Sequence, residues 1–302
     1  MKPAVVAVSL LAATALSAFV LSDYAIEIGI RLMLLLTLAE AWNLLAGYAG
    51  LMSLGTASFV GVGAYTLVVL MNDASLPLIV AIPCAGVAAA MLALLVSRAV
   101  FRLRGLYFTV GTLALAEALR LFMVNYSGLG GAAGLFLSVD PPEPRGLFLL
   151  ALTILALATL VMSVATGSRL SIWLRALRDD EDAAAQIGVR PFRLKLLAFV
   201  IASFLMGLAG AIQGLKLGAV EPYGMLGMHW TIDVISIVII GGQGLRLGPL
   251  VGSVFVVAMS ELLADYPALH LALTGAILIG VVRLAPQGLV GLTQRRTKVG
   301  AA

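Results

Sequence analysis

The sequence has 302 residues, of which 62% are hydrophobic and 11% are charged, and its formal net charge is +4. This composition excludes an ordinary soluble domain, because too few polar residues are present to cover a surface. The basic residues lie in short loops between apolar segments, so the positive charge indicates membrane topology and not nucleic-acid binding. A single cysteine excludes an intrachain disulfide, and two widely spaced histidines do not form a metal-site pattern.

About ten apolar segments follow one another along the chain, each judged against the ~20 residues that a helix needs to cross a membrane. They predict an all-α polytopic membrane protein with a single transmembrane domain over residues 1–302. Segments 56–71 and 231–242 are too short to cross alone as straight helices, and both adjoin glycine-rich turns. It stays open whether residues 231–264 cross twice or form a re-entrant hairpin. The segments lie at residues 4–22, 28–46, 56–71, 76–97, 105–124, 146–166, 196–215, 231–242, 248–264 and 268–285.

The first segment has a basic start and a short apolar core, a pattern that signal peptides share. Its apolar stretch is close to span length and many more spans follow, so we expect a membrane helix here. Cleavage of this segment stays open as the alternative.

A glycine-rich break follows the second apolar segment and reads AWNLLAGYAGLMSLGTASFVGVGAY over residues 41–65. Irregular backbone inside a membrane is tolerated only where it is buried in protein or lines a watery cavity. Small residues also let helices approach closely. The break therefore serves either close helix packing or a polar pathway through the membrane. The candidate pathway residues, including one from a later glycine-rich stretch, are Asn43, Gly50, Ser53, Gly55, Thr56, Ser58 and Gln243.

Charged residues at membrane depth are costly and usually face inward. Glu117 and Arg120 lie three residues apart on one helix face, and we expect them to form an internal structural ion pair. A gate that rearranges is the alternative interpretation. Glu40 and Asp233 have no obvious partner in the sequence, and Asp233 is placed for an anchoring role at the membrane interface.

The longest polar stretch covers residues 167–195 and reads GSRLSIWLRALRDDEDAAAQIGVRPFRLK. Its spacing predicts one or two short surface helices, with Gly188 ending the second and Pro191 preventing its continuation. The stretch is either an ordinary loop or a docking element that lies in a groove of a soluble partner. Within it, DAAAQIG at residues 182–188 has the order acid-Ala-Ala-x-x-x-Gly.

Three basic clusters, at residues 98–104, 169–195 and 295–298, fall on one side of the membrane if every segment crosses. The positive-inside rule assigns that side to the cytoplasm and places both termini there. A weak internal echo, GLMSLG at Gly50–Gly55 and GLRLG at Gly244–Gly248, falls on the same side. The echo is either an internal repeat, as transporters often have, or a chance match.

Five motifs together resemble the M-type permease subunits of the branched-chain amino-acid (Liv) importers, over about residues 42–292. The DAAAQIG order is also similar to the Glu-Ala-Ala-x-x-x-Gly loop of ATP-binding-cassette (ABC) importer permeases, with Asp182 in place of the glutamate. The motifs, in chain order, are WNLLAGYAGLMSLGTASFVGVGAY, RGLYFTVGTLALAEALR, RALRDDEDAAAQIGVRPFRLKLLAFVIASFLMGLAGAI, GGQGLRLGPLVGS and RLAPQGLVGL.

The resemblance implies an inner-membrane permease subunit that moves branched-chain or other hydrophobic amino acids from periplasm to cytoplasm by alternating access. It also implies a second, related H-type permease, two cytoplasmic ATP-binding subunits and a periplasmic substrate-binding protein. The chain has no G-x-x-x-x-G-K-[ST] phosphate loop, so we expect it to bind no cofactor and ATP to be hydrolysed by the partner. The residues implied in ATPase coupling are Arg175, Arg178, Asp179, Glu181, Asp182, Ala183, Ala184 and Gly188.

Three alternatives stay open beside this interpretation. The same importer class also carries urea, short amides and small organic acids, so the resemblance does not fix the substrate. A stand-alone secondary transporter would couple ions through its intramembrane acids, although the docking-type loop argues against it. A membrane enzyme is disfavoured, because the sequence shows no catalytic constellation and we expect no catalytic residue.

Overall fold

The computed structural model describes residues 22–264 and, in the last part of the chain, residues 273, 275–277, 279–281, 283 and 288–291. The first predicted segment, 4–22, lies almost wholly outside the described residues, as does much of the last, 268–285. The basic cluster at 295–298 lies outside them as well.

The described chain is mostly helical. The first half contains α1 (Asp23–Trp42), which continues into a π-helical turn (Asn43–Tyr48), then α2 (Thr56–Asn72), α3 (Leu78–Val100) and α4 (Leu106–Asn125). The second half contains α5 (Pro144–Gly167), α6 (Arg169–Asp179), α7 (Glu181–Gln186), α8 (Pro191–Leu217), α9 (Pro222–Met225), α10 (His229–Gly241) and α11 (Gly248–Leu262). Two short strands, β1 (Leu135–Phe136) and β2 (Ala219–Val220), pair antiparallel, and 3-10 turns at Ser127–Leu129 and Gly131–Ala133 precede β1.

Six helical stretches in the described chain are long and apolar enough to cross a membrane. Segment 231–242 belongs to one of them, because α9 and α10 together give an apolar stretch over Pro222–Gly241. In contrast α2, with 17 residues, and α11, with 15, fall short of the ~20 residues of a full span. The fold is thus a multi-pass helical membrane protein, and the expected count of about ten crossings is not confirmed. The six stretches are Asp23–Tyr48, Leu78–Val100, Leu106–Asn125, Pro144–Gly167, Pro191–Leu217 and Pro222–Gly241.

Helix α8 lies at the centre of the packing, against α1, α2, α3 and α5. Its contact with α2 depends on glycine. A Cβ atom on Gly63 would lie 2.1 Å from the carbonyl oxygen of Gly207, and one on Gly210 would lie 2.0 Å from that of Val60. Both distances are too short for non-bonded atoms, so these glycines allow the two backbones to touch.

Replacing Gly210 with alanine is expected to destabilise the protein, because the new methyl group would collide with the backbone of α2. Overpacking of this kind costs about 1–3 kcal/mol, and backbone atoms adapt less than side chains. The measurement is the midpoint of thermal aggregation in detergent. Gly167→Ala is the control, because a Cβ atom there meets nothing within 4 Å. Equal midpoints for the two variants would contradict this packing.

The two ends of the helix bundle carry different structures. At one end, which we call the loop end, α6 and α7 lie beside the start of α4, and Arg104 is 3.3 Å from Asp182. At the other end, the strand end, the side chain of Asn72 donates a 2.8 Å hydrogen bond to the Phe136 carbonyl oxygen and accepts one from the Ser138 amide. Because α2 runs from the glycine-rich break to Asn72, the break lies at the loop end.

Candidate functional site

The C-terminal end of α1 is capped by side chains from two distant parts of the chain. Helix ends leave carbonyl oxygens without a partner inside the helix. The Ala46 carbonyl oxygen accepts a 3.0 Å hydrogen bond from Gln243 Nε2, and the Gly47 carbonyl oxygen accepts a 2.8 Å hydrogen bond from Arg178 Nη1. The guanidinium group is a favourable partner here, because the C-terminus of a helix carries partial negative charge.

Asn43 joins the same helix end to the loop between α10 and α11. Its Oδ1 accepts a 2.8 Å hydrogen bond from the Gly244 amide, and its Nδ2 donates a 3.1 Å hydrogen bond to the Leu245 carbonyl oxygen. A Cβ atom on Gly47 would lie 2.6 Å from the Gly244 nitrogen, so glycine is required for this approach. We call residues 43–50 and 242–247, together with Arg178, the helix-break junction. It joins residues just before the first half of the sequence echo to the start of the second half.

Helix α6 is attached to this junction by two arginines. The Arg178 side chain packs on Gly50, where an added Cβ atom would lie 2.8 Å from its Cγ. Asp179 Oδ1 accepts hydrogen bonds of 3.1 and 3.0 Å from Arg178 Nε and Nη2 and so orients the guanidinium group. The Arg175 guanidinium lies 5.2 Å from the centre of the Tyr48 ring, a cation–π distance. Helix α6 is therefore in direct contact with the end of the first helical stretch.

The polar stretch forms two short helices, where its sequence predicts one or two. Asp180 caps α7 by accepting 2.9 Å hydrogen bonds from the amides of Asp182 and Ala183. Gly188 follows with φ +87°, the left-handed conformation expected of a helix-ending glycine. The stretch is fixed to α8 by a 2.5 Å contact between Glu181 and Lys195, whose side chain is buried.

One face of this stretch packs inward and the other is open. Leu174, Leu177 and Ala184 are buried against the bundle. The outward face carries apolar side chains beside charged ones. It is presented at the loop end and includes Ile172, Trp173, Asp182, Ala183 and Ile187.

Most of the candidate pathway residues lie in the packed interior of the chain. Asn43, Ser53, Thr56 and Ser58 are each at most 1% exposed. Gly55 is buried too, whereas Gly50 and Gln243 reach the surface beside α6.

The irregular backbone at residues 50–55 is held from three sides. The Ser53 carbonyl oxygen accepts a 2.8 Å hydrogen bond from Trp42 Nε1. The Leu54 amide donates a 2.9 Å hydrogen bond to Thr112 Oγ1 of α4, and its carbonyl oxygen accepts one of 3.3 Å from Thr231 of α10. The break is thus a point where α1, α4 and α10 meet.

Glu117 and Arg120 contact each other as their spacing predicts, with 3.0 Å between Arg120 Nε and Glu117 Oε2. The pair is not internal to this chain, however. The Glu117 side chain is 51% exposed, because α4 turns this face away from the other helices. The Arg120 guanidinium also lies 5.0 Å from the centre of the Tyr223 ring on α9.

Two further polar contacts join residues far apart in sequence. Thr159 Oγ1 donates to both carboxylate oxygens of Glu40 at 3.2 Å, so this buried acid has a hydrogen-bond partner that sequence reasoning missed. Glu261 accepts a 2.7 Å hydrogen bond from Tyr24 and lies 3.4 Å from Arg31. No local spacing could have indicated either contact, because they form only when separate spans pack together.

Comparison with known proteins identifies the family of this chain. The family model described as branched-chain amino acid transport system / permease component matches residues 24–282. The chain belongs to this family. It is therefore a membrane-embedded permease subunit of an ABC importer and a transport subunit, not an enzyme.

Individual relatives agree with the family. The high-affinity branched-chain amino acid transport system permease protein LivM of Escherichia coli (strain K12) is 27% identical, over 94% of this chain and 74% of its own. LivH of Salmonella typhimurium, a permease protein of the same kind of system, is 26% identical over 46% of this chain and 45% of its own. The xylose/arabinose import permease protein XylH of Sulfolobus acidocaldarius is 26% identical over 86% of this chain and 75% of its own. No solved structure matches.

Proposed function

We propose that this chain is one of two related permeases in an ATP-driven importer of branched-chain or other hydrophobic amino acids. The likeness to LivM over 94% of the chain supports this substrate class. The likeness to LivH supports a second permease of the same family as its partner. Two cytoplasmic ATP-binding subunits and a periplasmic substrate-binding protein complete the assembly.

A second substrate class is favoured by one observation, the match to the xylose/arabinose permease over 86% of the chain. A permease whose name gives a different cargo is thus similar to most of this chain. Urea, short amides and small organic acids belong to the same alternative.

The observation that best supports ATP coupling is the contact between the α6–α7 stretch and the helix-break junction. The outward face of residues 167–195 presents Ile172, Trp173 and Ile187 for burial against a soluble partner. The partner we assign to it is the ATPase subunit. The ion pair of Glu181 with Lys195 ties α7 to the long helix α8. We therefore expect residues 167–195 to move as one rigid unit, which we call the lever.

Arg178 carries the motion of that lever into the membrane. It holds the Gly47 carbonyl oxygen, and the adjacent Asn43 holds the loop between α10 and α11. A shift of α6 therefore moves α1, α10 and α11 together. On this mechanism the glycine-rich break supports the translocation pathway as a joint, which explains why its polar side chains are packed and not open.

We propose further that the loop end faces the cytoplasm and that the protein lies in a bacterial inner membrane. The basic side chains at 98–104 and 169–195 support this orientation, because positive residues are retained on the cytoplasmic side. Both termini are assigned to that side too.

Reconstitution tests the proposal. Proteoliposomes are prepared with this chain, its cognate second permease and its ATPases, and the binding protein is added on the side that corresponds to the periplasm. Radiolabelled leucine should be transported to the ATPase side only when ATP is present on that side. Xylose and urea serve as competing solutes. Leucine accumulation without the ATPases would contradict an ATP-driven importer, and uptake of xylose or urea in preference to leucine would contradict the amino-acid assignment.

A further inference from the structure

Helix α4 is the least buried and also the least apolar of the six spans. Only 22% of the apolar stretch of α4 is buried, and its mean hydropathy is 1.4. The corresponding stretches of α3 and α5 are 39% and 44% buried, and both have a mean hydropathy of 2.6. A helix that turns most of its surface to hydrocarbon should be the most apolar, because polar groups in lipid are costly. The open face of α4 therefore meets something other than lipid.

One stripe of the open face of α4 runs along the helix at helical spacing, beside the exposed Leu106, Ala118 and Phe122. We call it the α4 stripe, and it contains Tyr107, Val110, Ala114, Glu117 and Leu121. Glu117 is the twelfth of the 20 residues in the helix, so it lies about 17 Å from one end and about 12 Å from the other. This is membrane depth, where a charge needs a polar neighbour or water.

Helix α3 provides the comparison, because its open face is apolar until the last turn, where Arg98 is exposed. Its exposed side chains include Ile79, Val87, Met91 and Leu95. This is the surface expected of a helix in contact with lipid. Helix α4 therefore differs from α3 in exposing a carboxylate, that of Glu117, at membrane depth.

The α4 stripe and its immediate neighbours, Arg120 on α4 and Tyr223 on α9, together present both signs of charge beside an aromatic ring. The Glu117 side chain is 51% exposed and that of Arg120 is 21% exposed, although the two are paired. The Tyr223 ring, which lies against the Arg120 guanidinium, is 55% exposed. A carboxylate, a guanidinium and an apolar surface are therefore accessible together.

We propose that the α4 stripe is a wall of the translocation pathway, where Glu117 binds the ammonium group and Arg120 the carboxylate of a zwitterionic solute. This inference rests on the proposed function. A guanidinium group binds a carboxylate in two parallel hydrogen bonds, and a carboxylate attracts an ammonium group. Since the two residues already neutralise each other, a passing zwitterion exchanges partners without leaving a net charge in the membrane. The Tyr223 ring is placed to contact the aliphatic part of the solute.

Cysteine labelling of the assembled transporter tests the wall. In a Cys84→Ala background, Ala114→Cys lies one turn from Glu117, and Met91→Cys on the apolar face of α3 is the matched control. A positively charged methanethiosulfonate reagent does not enter lipid, so Ala114→Cys should react at least about tenfold faster than the control. Saturating leucine, supplied on its binding protein, should slow the reaction of Ala114→Cys severalfold. Equally slow labelling of both positions would overturn the proposal. If that cysteine instead cross-links to the second permease in every state, the α4 stripe is a permanent subunit contact.

The role of the charges has its own readout. Adding Glu117→Gln to the Ala114→Cys background should leave the cysteine reactive but remove the protection by leucine. Arg120→Gln should do the same, which keeps the test decisive if one variant does not assemble. Full protection in both variants would show that the pair does not contact the solute. Leucine uptake by the Cys84→Ala transporter is measured in parallel. If this transporter does not take up leucine, the proposed function fails; if it does, the labelling results test only the role of the α4 stripe.

Discussion

Replacing Arg178 with glutamine should lower ATP-driven uptake about tenfold or more while the ATPase subunits still co-purify with the permease. The variant loses the charge-assisted hydrogen bond to the Gly47 carbonyl oxygen, an interaction that contributes about 1.5–3 kcal/mol. Docking is expected to survive, because the outward face formed by Ile172, Trp173 and Ile187 does not include Arg178. Uptake of radiolabelled leucine and ATPase retention are measured on the same preparations.

Two variants of the same helix sharpen this test. Arg169→Gln removes an equal charge at the far end of α6 and should leave uptake close to that of the wild type. Arg178→Lys keeps the charge but loses the planar fork that reaches both Gly47 and Asp179, so it should restore uptake only in part. Wild-type uptake by Arg178→Gln would show that the lever does not act through this contact.

The features that sequence reasoning predicted are those encoded over a few residues. The two short helices at 169–186 follow from local signals, since Asp180 caps the second and Gly188 ends it. The contact of Glu117 with Arg120 follows from their spacing on one helix. Such patterns act within one turn of helix and need no knowledge of the fold.

The remaining features depend on where separate helices meet. The sequence marks Asn43 and Gln243 as polar residues beside glycine-rich turns, but their hydrogen bonds join positions about 200 residues apart. The exposure of Glu117 depends on how lightly α4 packs, which no spacing within the helix reports. Predicting an internal ion pair was therefore reasonable for the contact and wrong for its burial within this chain. Segment 231–242 looked too short to cross a membrane because the sequence pattern does not show that α9 extends it across a turn to Pro222.

The packed state of Ser53, Thr56 and Ser58 also follows from assembly and not from composition. Short polar side chains near glycine suit either a wet pathway or a close helix crossing, and the sequence pattern is the same for both. The structure packs these three residues at 1% exposure or less. In contrast, the α4 stripe combines exposure with charge. On the two proposals made above, the wall and the joint of the transporter lie on different helices, α4 and the end of α1.

Replacing Gly188 with glutamate should abolish uptake and prevent co-purification of the ATPase subunits, while the permease remains in the membrane. Gly188 has φ +87°, which strains any residue with a Cβ atom, and the added carboxylate would stand beside the exposed Ile187. Folding of the bundle should survive, because a Cβ atom at this position meets nothing within 4 Å. The measurements are ATPase retention on the affinity-tagged permease, the amount of permease in membranes, and leucine uptake.

The chain offers a matched control at the strand end. Gly218 also has a positive φ, +64°, and a Cβ atom there likewise meets nothing within 4 Å. Gly218→Glu therefore introduces the same side chain with the same kind of backbone strain at the end of the bundle opposite to α7, and it should retain the ATPases. Gly188→Asn tests strain at the docking site itself, because asparagine tolerates the left-handed conformation, and it should restore much of the ATPase binding. If Gly188→Glu keeps both its ATPases and its uptake, then residues 167–195 do not dock the ATPase and the lever must lie elsewhere on the loop end.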